Sequence, residues 1–349
     1  MLTKEEIIAY LQTSDEESQK ELFEKASQVK TNLLGKNVYL RGIIELSNIC
    51  QKDCYYCGIR KSNKNVNRYL MIEDEILKSA EWAYKAGYAS IVLQSGERTD
   101  DKFVRTISDV LKEIKKLSDG KLRVTLSLGE QEKEVYKCWY NLGAHRYLLR
   151  IESSNKDLYH FIHPKEYSFE KRLECLNNLK EIGYQLGTGV MIGLPHQTYE
   201  DLANDILFFK KLDVDMVGMG PYLEHKDTPL PDKDTIIVKN KEELYHLGLR
   251  MISVLRLTMP TINIAATTAL QALNSFGREK GILCGANVFM PNISEGEYRP
   301  SYQLYDNKPC IDETSTECLD CVGKRIEMIG EKVAFDEWGD SLHFRERNC

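Results

Sequence analysis

The spacing of apolar and polar positions changes near Leu40. Before it, residues 3–30 place apolar side chains at helical spacing in a background rich in Glu, Lys and Gln, which predicts a helical prefix. After it, short β-rich runs alternate with amphipathic stretches of helical period. The runs cover 40–47, 90–94, 123–127, 146–151, 186–191, 215–219, 261–265 and 287–290. Helical patterns fill the intervals around 72–86, 100–117, 131–142, 168–182, 199–212, 240–258 and 267–276. Three of these patterns end at Gly87, Gly143 and Gly183 just ahead of the next strand, where glycine stops a helix in the left-handed conformation.

Eight strands alternating with helices predict an α/β protein, a (β/α)8 TIM barrel of parallel βα units, with an open doubly wound sheet as the competing arrangement. The expected division is a helical N-terminal extension over 1–36, the barrel over 37–292, and a C-terminal segment over 293–349. That segment carries a second cysteine cluster.

Composition narrows the partners. With 47 basic and 53 acidic side chains the net charge is -6, which excludes a general binder of nucleic acid or of anionic membrane. No apolar run approaches the roughly 20 residues that span a bilayer, and the first residues lack a signal core, so a cytoplasmic protein is expected. Ten cysteines in a reducing compartment point away from structural disulfides. Six of them fall into two tight clusters, which makes metal ligation the leading chemistry.

The first cluster is Cys50-x3-Cys54-x2-Cys57, directly after the first predicted strand. In a βα barrel that is the C-terminal rim, where active sites lie. Three thiolates hold three irons of a [4Fe-4S] cubane and leave the fourth open for chemistry. A zinc site with a fourth ligand elsewhere, or incidental cysteines, are the alternatives. The second cluster, Cys310-x7-Cys318-x2-Cys321, offers three thiolates again, for an iron–sulfur centre ([2Fe-2S] or [4Fe-4S]) or for zinc. Of the rest, Cys138 and Cys175 fall in amphipathic helices and are expected in the core. Cys284 and Cys349 receive no role. His196 and His225 follow strand ends without a partner motif and are not assigned as bases.

The first triad, with aromatic Tyr56 before its last cysteine, resembles the signature of the radical S-adenosylmethionine (SAM) superfamily. Leu93-Gln94-Ser95-Gly96-Glu97 resembles that superfamily's GGE motif, which binds the SAM amino group. Longer strings resemble the HydE family of [FeFe]-hydrogenase maturation enzymes: Ile43-Ile44-Glu45-Leu46-Ser47-Asn48, Thr125-Leu126-Ser127-Leu128-Gly129-Glu130, Arg146-Tyr147-Leu148-Leu149-Arg150, Ala266-Thr267-Thr268-Ala269 and Cys284-Gly285-Ala286-Asn287-Val288. The second cysteine cluster resembles the auxiliary iron–sulfur site present in many members of that family.

The resemblance implies a fold, cofactors and roles. Cys50, Cys54 and Cys57 hold the cluster, and SAM sits on its open iron. Tyr56, Gln94, Ser95, Gly96, Glu97 and Met191 line the cofactor site. Glu152 meets the ribose or amino group, and Arg172 meets the SAM carboxylate; by composition alone both would be surface ion pairs. Thr125, Arg150, Thr267, Thr268, Tyr302 and Tyr305 match the substrate cavity. From the residues alone the threonine pair reads as a helix N-cap and the tyrosines as packing. The implied reaction is radical chemistry on a cysteine-bound Fe(CO)2(CN) precursor. The implied partners are a small organometallic or amino-acid-derived substrate, a ferredoxin or flavodoxin electron donor, and other hydrogenase maturases. A methylornithine-synthase- or biotin-synthase-like enzyme is the first alternative, and a non-catalytic iron–sulfur or zinc scaffold the second.

Overall fold

The computed structural model describes residues 2–230 and 237–348; Cys349 lies outside them. The prefix is two helices, not one: α1 (Lys4–Gln12) and α2 (Glu16–Leu34). Asp15 makes the break, because its side chain accepts a hydrogen bond from the Ser18 amide and so starts a new helix instead of continuing the old one. The first packs on the outer helices α8 (Tyr199–Leu212) and α9 (Lys241–Thr258), the second on α9.

The barrel begins with β1, an extended stretch in two pieces, Asn37–Leu40 and Gly42–Ser47. Seven more strands follow: β2 (Ser90–Ser95), β3 (Arg123–Ser127), β4 (Ala144–Leu148), β5 (Gln185–Thr188), β6 (Met216–Val217), β7 (Asn263–Ala266) and β8 (Val288–Phe289). Beyond their ends, β5 and β6 resume at Met191–Ile192 and Gly220–Pro221, which pair with each other. Every pairing is parallel, in the order β8-β7-β6-β5-β4-β3-β2-β1. The first piece of β1 also pairs with β8, Tyr39 opposite Val288, and Ile43 bridges Asn292. Because β1 belongs to both ends of the sheet, the sheet curls closed, as the eight-strand pattern predicts. A short strand not foreseen from the sequence, β9 (Lys332–Ala334), pairs with the lower piece of β1.

The helices between strands are α3 (Glu73–Lys85), α4 (Asp101–Leu117), α5 (Lys133–Asn141), α6 (Lys156–Ile162), α7 (Phe169–Ile182), then α8 and α9, and α10 (Thr268–Leu273) and α11 (Gly277–Leu283). In α4 the side chains of Phe103, Ile107, Val110, Leu111 and Ile114 form one buried stripe, and the Asp100 side chain caps the first turn. The helices α6 and α11 went unpredicted; seven residues each are too few to establish a 3.6 period. Gly87, Gly143 and Gly183 all take positive φ, as expected of helix-ending glycines.

Past the barrel come α12 (Ser315–Met328), β9 and α13 (Leu342–Arg347). The strap Trp338–Ser341 seals the lower mouth. The Gly339 carbonyl accepts from buried Arg41 and from Asn263, and Asp340 pairs with buried Arg146. The lower end is thus a packed ionic plug, and the open chemistry is left to the upper end. Of the two cysteines expected in the core, Cys175 is buried but Cys138 is exposed, on the outward face of α5.

Candidate active site

The loop from Ser47 to Leu70 follows β1 and carries the first triad. Its neck is closed by an antiparallel bridge between Ser47 and Leu70 and by Asn48, whose amide donates to the Asn67 carbonyl and whose Oδ1 accepts from the Tyr69 amide. The end of β2 then locks it to the barrel. The Gly96 amide donates to the Ser47 carbonyl, the Gln51 amide to the Glu97 carbonyl, and the Glu97 amide to the Cys50 sulfur at 3.3 Å. A side chain at Gly96 would place Cβ 2.5 Å from the Ile49 oxygen and 2.8 Å from Cys50 Cβ, so only glycine allows this approach. The two strings singled out in the sequence therefore form one hydrogen-bonded unit.

Burial raises the pKa of all three thiols, Cys57 to about 12, and repulsion from neighbouring cysteines adds to it for Cys54 and Cys57. Three thiolates held this close need a cationic partner, which is what a metal group supplies. Two sulfurs on one zinc ion at about 2.3 Å each are at most about 4.6 Å apart. The three triad sulfurs do not all lie within 4.8 Å of one another. That spread is wider than a single zinc ion accommodates. Cys50 adds two amide donors to its sulfur, from Lys52 at 3.4 Å and from Glu97. Such N–H to sulfur bonds stabilise ligated thiolates.

Beside the triad is a buried ionic quartet. Lys52, from the loop itself, lies 2.8 Å from Glu130 and 3.3 Å from Glu97; Arg172 lies 2.6 Å from Glu130 and 3.9 Å from Glu97. Burial alone would lower the Lys52 pKa, but the two carboxylates outweigh it and raise it. Burial raises Glu97, while Arg172 and Lys52 overcome burial and lower Glu130. Arg172 is only 7% exposed, so the surface-ion-pair expectation fails for it. Glu152 is equally buried and sits at φ 66°, a rare setting for a carboxylate residue that costs about 1–3 kcal/mol and marks a position held for a purpose. It pairs with Arg150 at 3.0 Å. Glu97 Oε1 and Glu152 Oε2 each lie within ion-pair distance of a cation yet have no aligned hydrogen-bond donor. Two buried carboxylate oxygens with spare acceptor capacity suit an ammonium and ribose hydroxyls.

Inside the upper barrel lies a chamber of about 340 Å³. Its walls include Tyr56, Cys57, Gln94, Ser95, Glu152 and Met191 from the expected cofactor set, and Arg150, Thr267, Thr268, Tyr302 and Tyr305 from the expected substrate set. Gly96, Glu97 and Arg172 stand behind this wall, against the loop. Thr125 is elsewhere: it borders a small void beneath the chamber, with Leu148 as the shared wall. At Thr267 the helix-cap reading is half right, since it occupies the N-cap position of α10 but makes no side-chain cap bond. Thr267 Oγ1 donates to the Met219 carbonyl, and Thr268 Oγ1 accepts from Tyr305 Oη at 2.8 Å. Arg150 donates to the Val190 carbonyl besides pairing with Glu152.

The second triad borders the same chamber through Cys310 and Cys318. Cys318 and Cys321 share one face of α12 at i, i+3; Cys318 is buried and Cys321 exposed. Cys310, at φ 62°, accepts from Arg278 Nη2 and Gln271 Nε2, each at 3.7 Å. Arg278 is buried over the Phe289 ring and its Nε has no partner. A buried guanidinium aimed at a thiol fits an anionic thiolate-ligated centre. Here too the sulfurs do not all fall within 4.8 Å.

Sequence reasoning missed Lys52, Glu130, Arg278, Lys308 and Glu45. Lys308 reaches Glu45 at 2.5 Å across the chamber mouth. Glu45 and Glu130 stand in quoted strings at strand ends, which was the available signal. Lys52 lay inside the triad, and only the fold shows its partners.

Among the described residues, no helix is long and apolar enough to cross a membrane. Residues 44–209 match the Radical SAM superfamily. The [FeFe] hydrogenase maturase subunit HydE of Thermotoga maritima is 45% identical over 338 residues, 97% of this chain and 93% of the relative. The 3-methylornithine synthase of Methanosarcina acetivorans is 25% identical over 338 residues, 95% of this chain and 91% of the relative. Among solved structures, a methylornithine synthase matches with TM-score 0.81 at 23% identity, over 96% of this chain and 95% of that one. The maturase HydG of Carboxydothermus hydrogenoformans matches with TM-score 0.80 at 21% identity, over 100% of this chain and 78% of that one. The two structural likenesses speak for the fold.

Proposed function

Because the chain belongs to the HydE family of the radical SAM superfamily, we propose that it works in [FeFe]-hydrogenase maturation on the cysteine-bound Fe(CO)2(CN) precursor. The observation that carries the reading is the joining of the first triad, through Glu97 and Lys52, to a chamber lined by Glu152. Cys50, Cys54 and Cys57 would hold a [4Fe-4S] cluster, which together with SAM would supply a 5′-deoxyadenosyl radical.

The residues have the following parts in this reading. Arg172, fixed by Glu130 through Nε and by the Arg150 carbonyl through Nη1, presents Nη2 to the SAM carboxylate. Glu97 takes the ammonium, and Glu152 the ribose. Tyr56 and Met191 pack the nucleoside side. Arg150, Thr267, Thr268, Tyr302 and Tyr305 orient the substrate, and the enclosing wall keeps water from a reactive radical. Thr125, set below the chamber floor, acts through packing. Cys310, Cys318 and Cys321 hold an auxiliary iron–sulfur centre that the radical step does not require. The 1–36 extension, the 37–292 barrel and the 293–349 segment are the working units. A reducing compartment such as the cytoplasm suits the free thiols, and a ferredoxin or flavodoxin is the electron donor.

Anaerobic protein supplied with SAM and dithionite is given either the cysteinyl iron complex or lysine. The expected result is 5′-deoxyadenosine formation stimulated by the iron complex with consumption of that complex. Conversion of lysine into a branched amino acid would place the chain with the methylornithine synthases instead.

A further inference from the structure

We propose that Arg68 is a positioning residue for the first cluster, clasping the cysteine loop and giving it a fixed positive charge. The loop from Asn48 to Asn67 contains no helix or strand, so its backbone carbonyls need other partners. Arg68 supplies them. Nη1 donates to the Asn48 carbonyl at 2.6 Å and the Ile59 carbonyl at 2.8 Å; Nη2 donates to the Arg60 carbonyl at 2.6 Å and the Asn63 carbonyl at 3.1 Å. Asn48 lies before Cys50, and the other three lie after Cys57. One planar guanidinium therefore ties the two arms of the loop together across the triad, a geometry lysine cannot reproduce.

No carboxylate forms an ion pair with Arg68 among the described residues, so its charge is not spent on one. Its four carbonyl partners bracket Cys50 and Cys57 in the chain, so the guanidinium is fixed on the cysteine loop itself. It is distinct from Arg172, which belongs to the proposed SAM site. A nearby positive charge favours the more negative, reduced form of a cluster.

The inference rests on the first triad holding a cluster, and the test separates the two ideas. Arg68→Gln and Arg68→Lys are reconstituted anaerobically beside wild type. The first cluster's midpoint potential is followed by electron paramagnetic resonance, with the auxiliary centre as internal reference. In the iron-free proteins the rate of iodoacetamide labelling is measured cysteine by cysteine. Arg68→Gln is expected to move the first potential to more negative values and leave the auxiliary one in place. It should speed labelling of Cys50, Cys54 and Cys57 about fivefold, with Cys310, Cys318 and Cys321 unchanged. Formation of 5′-deoxyadenosine should fall about tenfold. Arg68→Lys should restore the potential but not the protection. Selective loss of first-site iron in Arg68→Gln, with the auxiliary iron kept, also supports the clasp. An unchanged potential with unchanged labelling overturns it. So does equal loss at both triads with a lowered melting temperature, which is a general folding role. Wild-type protein without iron at the first triad would instead sink the cluster reading itself.

Discussion

Cys50, Cys54 and Cys57 sit on a loop with no regular structure, whereas Cys318 and Cys321 sit on α12 and share one of its faces. The loop is held by side chains drawn from many places: Asn48 and Arg68 within it, Gly96 and Glu97 from β2, Tyr167 and Arg172 from the α6–α7 region. Tyr167 Oη accepts from the Asp53 amide at 2.7 Å, and its ring lies under Lys52. The second triad has fewer supports, two long contacts onto Cys310 and an exposed Cys321. The difference teaches where precision is needed. A helix places two sulfurs cheaply and approximately. A site that must hold a cluster and a cofactor in one register needs a loop stitched at several points.

The comparison is broken most severely by Cys57→Ser, which removes one of three ligands at the chamber wall. Formation of 5′-deoxyadenosine should fall at least about a thousandfold, because the chemistry belongs to the bound group; retained activity would refute the ligand assignment. Next is Glu130→Gln. It removes the charge shared by Arg172 and Lys52 and turns one of the two acceptor oxygens into a donor, so SAM affinity measured by equilibrium dialysis should weaken about 10- to 100-fold, the size of one charge-assisted hydrogen bond. Unchanged affinity would mean Arg172 does not depend on it.

A smaller effect tests the support beneath Glu152. Fully buried Asp205 accepts from the Ser154 amide and hydroxyl, and burial raises its pKa to about 7. The folded state then holds this proton more tightly than the unfolded state. Its contribution to stability falls as pH rises from about 4 to about 7, by at most about 1.4 kcal/mol per unit. Denaturant melts across that range should show the slope, and Asp205→Asn should flatten it. The smallest effect belongs to the second triad. Cys318→Ser with Cys321→Ser should remove the auxiliary iron yet change 5′-deoxyadenosine formation by less than about twofold. A larger drop would join the two sites functionally.

Much of this arrangement is legible in the sequence, and the limits are instructive. The runs read at 90–94 and 123–127 were legible because each is a short β-rich stretch with buried apolar residues at its centre, set between two helical patterns. The first triad was readable because its ligands are neighbours in the chain. The quartet was not, since Lys52, Glu97, Glu130 and Arg172 come from four separate segments and only the barrel brings them together. The two-helix prefix turned on one side chain, Asp15, and the lower plug on Arg41 and Arg146, which look like surface residues until the strap 338–341 covers them. Thr125 was grouped with the chamber because it stands in a family string; its strand position places it one layer lower, beside Arg146.

The central claim is that the first triad alone presents an open iron to SAM. It is tested most directly by electron paramagnetic resonance of the reduced Cys318→Ser, Cys321→Ser protein before and after SAM is added. A single [4Fe-4S] signal whose g-values shift when SAM binds is the predicted result. A signal that SAM leaves unchanged, or the loss of any cluster signal from this variant, would contradict it.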